Sequence, residues 1–410
     1  ADHCTVCHKC LSPCPVDIDF GDVTVRMRQI LIDRGQKRFS PATWLSMAYL
    51  NATDPAMVRF LKKAVIDWGY AAQRLGYTFA KRLGLLALRR RPAATTGAPA
   101  ITAQVIEFVK KPLPANVPSG TLRQLLRLED NKTVPILRDP ARAGDESEAV
   151  FYFPGCGSER LFSQVGLATL AMLYKVGAQT VLPPGYLCCG YPQTSAGETA
   201  KGLKITTDNR VLFHRVANTL NYLDIKTVIV SCGTCMDQLL KYQFEQIFPG
   251  CRLLDIHEYL MEKGLHLDGV PGVHYLYHEP CHTPMKTYSS TGVAGKLLGQ
   301  EVLLSDRCCG EAGTFAVARP DIASQVRFRK QEELHNGIRQ LTGADVVQDG
   351  NVKMLTSCPA CQQGLSRYRG DTGLETDYIV VELANRLIGP TWQKDFLYNV
   401  QHGGIEQVLL

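Results

Sequence analysis

The sequence lacks a long hydrophobic run, an N-terminal signal pattern and a block of like charges. No apolar stretch approaches the roughly 18 residues that a membrane-spanning helix needs, and no charged-then-apolar leader opens the chain. The 410 residues carry a net charge of +6 that is spread along the chain, which is weak support for nucleic-acid binding. We therefore expect a cytoplasmic protein that does not bind nucleic acid.

The sequence has many cysteines, fifteen in all. In a chain of this size without a leader, clustered cysteines favour metal binding over disulfides. The adjacent pairs Cys188–Cys189 and Cys308–Cys309 support this, because each pair points two thiols into one small volume. Cys251 stands apart from the other fourteen, and we expect it to be a small buried residue.

The chain divides into four predicted segments. Residues 1–20 hold the first cysteine group, and 21–148 form a mainly helical segment with linkers. From residue 149 the order strand, Cys, helix, strand, CysCysGly, helices, strand, Cys-x-x-Cys occurs twice, in 149–240 and 273–366. Alternating strands and helices predict an α/β fold with largely parallel sheets. The repeat predicts two similar α/β lobes, 149–270 and 271–410, which is a domain duplication.

The first motif is Cys4-x2-Cys7-x2-Cys10-x3-Cys14-Pro15. Its spacing is typical of a loop that presents three thiolates to a cubane 4Fe–4S cluster. In two-cluster ferredoxins the fourth cysteine of such a run binds the other cluster, so the first three need an upstream ligand. The spacing favours a partial ferredoxin domain within a longer protein, and the alternative is a single cluster that Cys14 completes. A zinc knuckle fits less well, because the final Cys-Pro has no role in it.

Two further sets each contain five cysteines, and we expect each set at the C-terminal ends of successive parallel strands, where open α/β sheets gather ligands. Five thiolates exceed the needs of tetrahedral zinc or an ordinary cubane. The glycine after each adjacent pair lets the backbone approach a cluster without a clashing Cβ. The first set is Cys156, Cys188, Cys189, Cys232 and Cys235, and the second is Cys281, Cys308, Cys309, Cys358 and Cys361.

The residues around both sets, such as Phe153-Pro-Gly-Cys156 and Ser357-Cys-Pro-Ala-Cys361, resemble the motifs of the CCG domain. This domain occurs in the B- and D-type subunits of heterodisulfide reductases, in glycolate oxidase and anaerobic glycerol-3-phosphate dehydrogenase iron–sulfur subunits, and in lactate-utilisation oxidoreductases. The resemblance covers residues 1–20 and about 149–385. It implies that each complete set holds a noncubane 4Fe–4S cluster, beside one or two ferredoxin-type cubanes. The 42 residues between Cys189 and Cys232 and the 48 between Cys309 and Cys358 exceed the family's usual gap.

The resemblance also implies a function. It points to the iron–sulfur electron-transfer portion of a flavin-dependent 2-hydroxyacid dehydrogenase, of the lactate or glycolate type. No GxGxxG motif follows a predicted strand, so FAD is expected in a preceding domain or a partner flavoprotein, with a quinone or another electron acceptor. The alternative is a heterodisulfide reductase-like thiol/disulfide oxidoreductase with catalysis at the CCG sites. A zinc-stabilised interaction module without redox activity is a third hypothesis.

Two weaker features each have two interpretations. His278 and His282 flank Cys281, and either imidazole is a candidate to donate a proton to a thiolate or to hydrogen-bond a cluster sulfur; otherwise each is a structural residue at a strand end. The stretch 76–91 combines basic and apolar residues. It is typical either of a helix on a membrane surface, here the cytoplasmic face of the inner membrane, or of a packed helix with a solvated basic rim.

Overall fold

The computed structural model describes residues 3–84, 97, 100–142, 147–311 and 315–410. Up to residue 126 the described regular structure is helical, as predicted. Ser40 and Asp54 are N-caps whose side chains accept hydrogen bonds from Thr43 N and Met57 N, with proline in the first turn. The helices are α1 (Phe20–Asp33), α2 (Pro41–Asn51), α3 (Pro55–Leu61), a π-helix (Lys62–Trp68), α4 (Gly69–Arg82), α5 (Ile101–Val109) and α6 (Leu122–Leu126).

Helix α4 contains the basic and apolar stretch 76–91 as far as Arg82, and residues 85–91 lie outside the described part of the chain. Within the described ranges, no helix combines the length and apolarity that crossing a membrane requires.

Both lobes alternate strands and helices, which confirms the α/β fold class. The strands are β1 (Thr133–Leu137), β2 (Ala149–Phe153), β3 (Gln179–Val181), β4 (Ile225–Val230), β5 (Arg252–Asp255), β6 (His274–His278), β7 (Val302–Ser305), β8 (Val352–Thr356), β9 (Glu375–Tyr378) and β10 (Ile405–Leu409).

The helices of the lobes cover these strands. In the first lobe they are a π-helix (Gly157–Leu161), α7 (Ser163–Lys175), α8 (Tyr191–Ser195), α9 (Thr199–Thr219), α10 (Gly233–Leu239), two 3-10 turns (Leu240–Tyr242 and Phe244–Gln246) and α11 (Ile256–Glu262). In the second they are α12 (Ser290–Leu298), α13 (Phe315–Ala318), α14 (Pro320–Thr342), α15 (Pro359–Ser366), α16 (Arg369–Thr372), α17 (Ile379–Leu387), α18 (Trp392–Asn399) and a final π-turn (Val400–Gly404).

The first lobe is a six-stranded sheet in the order β10–β1–β3–β2–β4–β5. Strands β2 to β5 are parallel, whereas β1 is antiparallel to both β3 and β10. The sequence patterns do not predict β1, β5 and β10 of this sheet, nor β9 of the second lobe. Strand β1 precedes residue 149, and β10 comes from the C-terminal end of the chain, so the sheet draws on segments outside the first repeat.

The second lobe is a four-stranded parallel sheet in the order β7–β6–β8–β9. One hydrophobic core includes residues of both lobes, among them Ile229 from β4, Tyr277 from β6 and Leu383 from α17. Helix α17 of the second repeat also packs against α7 of the first. The lobes therefore share a core, which fixes their relative position.

Candidate functional site

The first cysteine set lies at the C-terminal edge of the parallel strands, where the sequence predicts it. Cys156 follows β2, the adjacent Cys188 and Cys189 follow β3, Cys232 follows β4 and Cys235 is in the first turn of α10. Hydrogen-bond contacts join the five thiols in the order 156, 188, 189, 235, 232. We call these five the first thiol site.

The second set repeats this arrangement. Cys281 follows β6, Cys308 and Cys309 follow β7, Cys358 follows β8 and Cys361 is in the first turn of α15. The contacts run in the order 281, 308, 309, 361, 358, and the two Sγ atoms of Cys309 and Cys361 are 3.6 Å apart. We call these five the second thiol site.

The two thiol sites face each other across the contact between the lobes. The thiols of Cys232 and Cys358 are in hydrogen-bond contact, which joins the first site to the second. Beside them the Tyr378 hydroxyl donates to the carbonyl oxygen of Ser231 at 2.5 Å. Gly233 leaves room for the other lobe, because a Cβ there would stand 1.5 Å from the carbonyl oxygen of His282. Ten thiols thus form one connected group that sequence spacing does not reveal.

The ferredoxin-type motif lies against the second thiol site. The Cys7 thiol contacts that of Cys281, and this contact lowers the pKa of Cys7 to about 5. Backbone N–H groups donate to two other sulfurs of the motif, from Val6 to Cys4 and from Ile18 to Cys14, each at 3.3 Å. Cluster binding by Cys4, Cys7, Cys10 and Cys14 remains a prediction.

His282 joins all three cysteine-bearing segments. Its Nδ1 lies 2.5 Å from Asp237 Oδ2 on α10, and its Nε2 lies 2.9 Å from the carbonyl oxygen of Val6. Tyr191 OH is within 2.9 Å of the same Nε2 and donates to Val6 O at 3.1 Å. These contacts satisfy both ring nitrogens, so the structure supports a positioning role for His282.

His278 is fully buried beside the second thiol site. A ring nitrogen lies within 4.8 Å of the sulfurs of Cys309 and Cys361. Nδ1 is 3.0 Å from the carbonyl oxygen of Ser305 and 3.2 Å from Lys330 Nζ, whereas Nε2 has no hydrogen-bond partner among the described residues. Burial, with the charge of Lys330, lowers the pKa of His278 well below its usual value. A neutral imidazole with one nitrogen left over is suited to contact a bound group.

Buried charged residues surround both thiol sites, and the sequence reasoning missed them. In the first site Arg160 donates to Tyr49 O at 2.7 Å, while its Nε and NH2 lack hydrogen-bond partners among the described residues. In the second site Glu311 accepts from Arg327 and Arg367 at 3.2 and 3.3 Å. One signal was available in the sequence, since Arg327 shares helical spacing with the apolar Ala323, Leu334 and Ile338, and a charge at such a position is unusual.

The thiol contacts separate the pKa values of neighbouring cysteines. Contact with Cys281 lowers the pKa of Cys308 to about 2, while contact with Cys308 and Cys7 raises the pKa of Cys281 far above its usual range. In the first site, contact with Cys156 lowers the pKa of Cys188, and the same contact raises the pKa of Cys156. Crowded thiols cannot all ionise while they face one another alone.

The donor set and its surroundings fit a polynuclear iron–sulfur group in each site. All fifteen cysteines are free thiols, and a bound cation would relieve the repulsion between buried thiolates. Gly155, at φ +62°, lets the backbone pass the first site, since a Cβ there would be 2.5 Å from Cys235 Sγ. Nε and NH2 of Arg160, which lack partners among the described residues, can donate hydrogen bonds to inorganic sulfide, and so can Nε2 of His278 in the tautomer in which it carries the proton.

The fold and the thiol sites define a duplicated cysteine-rich domain protein. The family model described as Cysteine-rich domain, CCG, matches residues 150–240 and 275–366, and a Domain of unknown function, DUF3400, matches residues 366–410. The chain therefore contains two copies of the CCG cysteine-rich domain, which confirms the predicted resemblance.

Curated relatives include iron–sulfur proteins. An uncharacterized iron–sulfur protein of Methanococcus maripaludis is 26% identical over 257 residues, 59% of this chain and 47% of that protein. One subunit of the fumarate reductase (CoM/CoB) of Methanothermobacter marburgensis is 29% identical over 221 residues, 52% of this chain and 40% of that protein. Lactate utilization protein A of an Exiguobacterium species is 26% identical over 218 residues, 48% of this chain and 85% of that protein.

The chain spans about half the length of the first two of these relatives or less. The comparison with solved structures gave no significant match. Homology therefore supports iron–sulfur electron transfer as the general role of the chain.

Proposed function

We propose that this chain is the iron–sulfur electron-transfer portion of a flavin-dependent dehydrogenase for a 2-hydroxyacid of the lactate or glycolate type. The observation that carries the proposal is the unbroken line of thiol contacts from Cys7 through Cys281 to Cys358, and from Cys232 to Cys156. A single catalytic thiol pair would not need eleven cysteines in contact. A relay of closely spaced one-electron carriers would need such a line of cysteines.

The side chains of the site have assignable tasks in this proposal. Each set of five thiolates would hold one 4Fe–4S cluster of the noncubane type, which would supply a one-electron carrier. Arg160 would balance the negative charge of the first site, and Lys330 that of the second. Seven of the ten cysteines in the two thiol sites are buried, so the protein rather than water surrounds a bound group and tunes its potential.

FAD and the acceptor belong to the proposed whole assembly. Similarity to lactate utilization protein A, of which the match covers 85%, supports a 2-hydroxyacid as the electron source. We propose that FAD lies in a preceding domain or a partner flavoprotein, that electrons enter beside Cys7, and that a quinone or another acceptor receives them. The assembly is proposed to work in the cytoplasm.

The test uses the full-length protein with its flavoprotein partner under anaerobic conditions. Lactate or glycolate is added, and reduction of the iron–sulfur centres is followed by EPR. We expect substrate-dependent reduction that Cys7→Ser slows and that Cys251→Ser, a control outside the three motifs, leaves unchanged. Lack of reduction by any 2-hydroxyacid, with intact clusters and flavin present, would refute the proposed donor.

A second candidate is thiol/disulfide chemistry as in heterodisulfide reductases. The contact between Cys232 and Cys358 favours it, because this contact places two complete sites face to face. Similarity to a subunit of a fumarate reductase (CoM/CoB) also favours it. In that reaction a disulfide substrate takes up two electrons and two protons and leaves as two thiols. Disulfide-dependent oxidation of the reduced holoprotein, with release of two thiols per disulfide, would establish this alternative.

A further inference from the structure

The helical segment before the lobes presents a row of large apolar side chains to solvent. Helix α3, the π-helix 62–68 and α4 follow one another without a break from Pro55 to Arg82, which makes a rod about 40 Å long. We call its exposed apolar residues the apolar stripe. They are Met57, Phe60, Trp68, Leu75, Phe79 and Leu83, with exposed fractions of 50, 65, 62, 72, 64 and 56%.

The opposite side of the rod is held by the lobes. Val58, Leu61 and Ile66 are buried in a small core together with Tyr49 and Tyr186. Tyr70 donates from its hydroxyl to Gln363 Oε1 at 2.5 Å, two residues after Cys361. The contacts of the inner face thus fix the orientation of the rod. The apolar stripe lies on the outer side and is therefore exposed.

Exposure of this many large side chains is costly. Each Phe, Leu or Met side chain left in water forgoes the favourable free energy that burial of its apolar surface would give. Contiguous exposed apolar surface on a folded protein typically marks an interaction site. The stripe is therefore expected to be covered by a partner.

The charges beside the stripe indicate the chemistry of that partner. Residues 55–84 contain six basic residues and one acidic residue. Three of the basic residues are engaged within the protein. Lys62 is buried and paired with Asp67 at 3.2 Å. Arg59 is paired with Glu129 at 2.6 Å, and Arg74 donates to Pro114 O at 2.9 Å. The other three, Lys63, Lys81 and Arg82, are exposed. Lys63 and Lys81 extend beside aromatic rings, with Nζ 5.8 Å from the Trp68 ring centre and 6.0 Å from that of Tyr77. Lysine is depleted from the cores of protein–protein interfaces, whereas lysine and arginine beside Trp, Phe and Leu characterise helices in the lipid interface.

We propose that the apolar stripe binds the surface of an anionic membrane, with the rod parallel to that surface and the exposed side chains of Lys63, Lys81 and Arg82 at the headgroups. Membrane binding of this kind does not depend on the electron donor or on the chemistry of the thiol sites. Because the inner face of the rod contacts Gln363 near Cys361, membrane binding would place the second thiol site on the far side of this one helix from lipid, where a quinone dissolves.

The test is vesicle flotation of the anaerobically purified, cluster-loaded full chain. Vesicles contain either phosphatidylcholine alone or phosphatidylcholine with phosphatidylglycerol. We expect binding to the anionic vesicles that weakens as salt rises and falls at least about tenfold in Leu75→Ser/Phe79→Ser. The matched control is Leu203→Ser/Val211→Ser on α9, which removes two side chains that are 67 and 58% exposed but lie far along the chain from the stripe; binding should be unchanged.

Trp68 gives a second readout that needs no change in the stripe. Of the three tryptophans, Trp44 and Trp68 are exposed and Trp392 is buried. In Trp44→Phe, anionic vesicles should shift the emission to shorter wavelength as Trp68 enters the interface. Equal binding to neutral vesicles would overturn the proposal, and so would the absence of an emission shift. It would also be overturned by a stripe variant that binds vesicles normally but dissociates a protein dimer. Iron and sulfide content, measured for every variant, separates loss of membrane binding from loss of the thiol sites.

Discussion

The imidazole of His282 and the carboxylate of Asp237 form a contact of 2.5 Å between the two lobes. Burial raises the pKa of Asp237, but hydrogen bonds from His282 and Lys286 outweigh burial and leave this pKa below its ordinary value. On its other side the same imidazole reaches Val6 in the ferredoxin-type motif at 2.9 Å. The His282 side chain therefore fixes the ferredoxin-type motif and both lobes relative to one another.

Replacing this imidazole should loosen the first motif before it unfolds the lobes. In His282→Ala, amide hydrogen exchange in residues 4–19 is expected to become roughly tenfold faster, because about 1–2 kcal/mol of hydrogen bonding is lost. Exchange in the strands of the second sheet should change little. His266→Ala, at an exposed histidine, is the control. Unchanged exchange in residues 4–19 would contradict the positioning role.

The close approach of the lobes at Gly233 predicts a severe effect of a single methyl group. A Cβ in Gly233→Ala would lie 1.5 Å from His282 O, whereas Gly370 has no heavy atom within 4 Å of the corresponding position. We expect Gly233→Ala to lower the free energy of unfolding by about 3 kcal/mol or more, and Gly370→Ala, in α16, to leave it unchanged or raise it by about 0.5–1 kcal/mol. Anaerobic urea unfolding measures both. Similar stability of the two variants would show that the lobes are not packed as described.

Arg160 is expected to set the reduction potential of a cluster in the first thiol site. Contact between the thiols dominates the pKa values of Cys156 and Cys188, and the charge of Arg160 acts to lower both, so it stabilises negative charge there. Arg160→Met should lower the potential by on the order of 100 mV, equivalent to about 2 kcal/mol for one electron, and Arg160→Lys should restore most of it. EPR-monitored redox titration of both variants separates the effect of charge from a structural effect. Both variants lose the hydrogen-bond geometry of arginine, but only Arg160→Lys keeps the positive charge. Equal potentials in wild type and Arg160→Met would contradict the electrostatic role.

Asp377 predicts a pH dependence of stability. Burial raises the pKa of this carboxyl to about 7, above its unfolded value of about 3.9. Between pH 4 and 7 the unfolded chain releases a proton that the folded chain retains, so stability falls as pH rises through this window. Asp377→Asn should reduce the dependence of stability on pH in this window. At pH 7.5 it should raise the free energy of unfolding by about 2 kcal/mol. Asp268→Asn, at a fully exposed carboxylate, should change neither the pH dependence nor the stability at pH 7.5. If stability in Asp377→Asn depended on pH as it does in wild type, the assignment of this titration to Asp377 would be refuted.

Sequence patterns predicted what depends on local chemistry. The repeated order of strands and cysteines predicted β2, β3 and β4 in the first lobe and β6, β7 and β8 in the second. Strand β10 was missed because only its pairing with β1 defines it, and its own residues are half exposed.

Contacts between distant segments were beyond sequence reasoning for a physical reason. The thiols of Cys7 and Cys281, and those of Cys232 and Cys358, meet only because the lobes share a core, and spacing along the chain carries no record of that packing. Arg160 occupies the position that the third glycine of a GxGxxG motif would have after Gly155 and Gly157, and only its burial shows that it is part of the first thiol site. Conversely, Cys251 was expected to be buried and is only partly so.

The most direct test of the iron–sulfur assignment is the iron and acid-labile sulfide content of anaerobically purified protein. We expect about eight iron and eight sulfide ions for the two thiol sites, with further iron at the ferredoxin-type motif. Cys232→Ser or Cys309→Ser should reduce these counts, and Cys251→Ser should not. Zinc without iron, or disulfides among the ten cysteines of the thiol sites, would contradict the assignment.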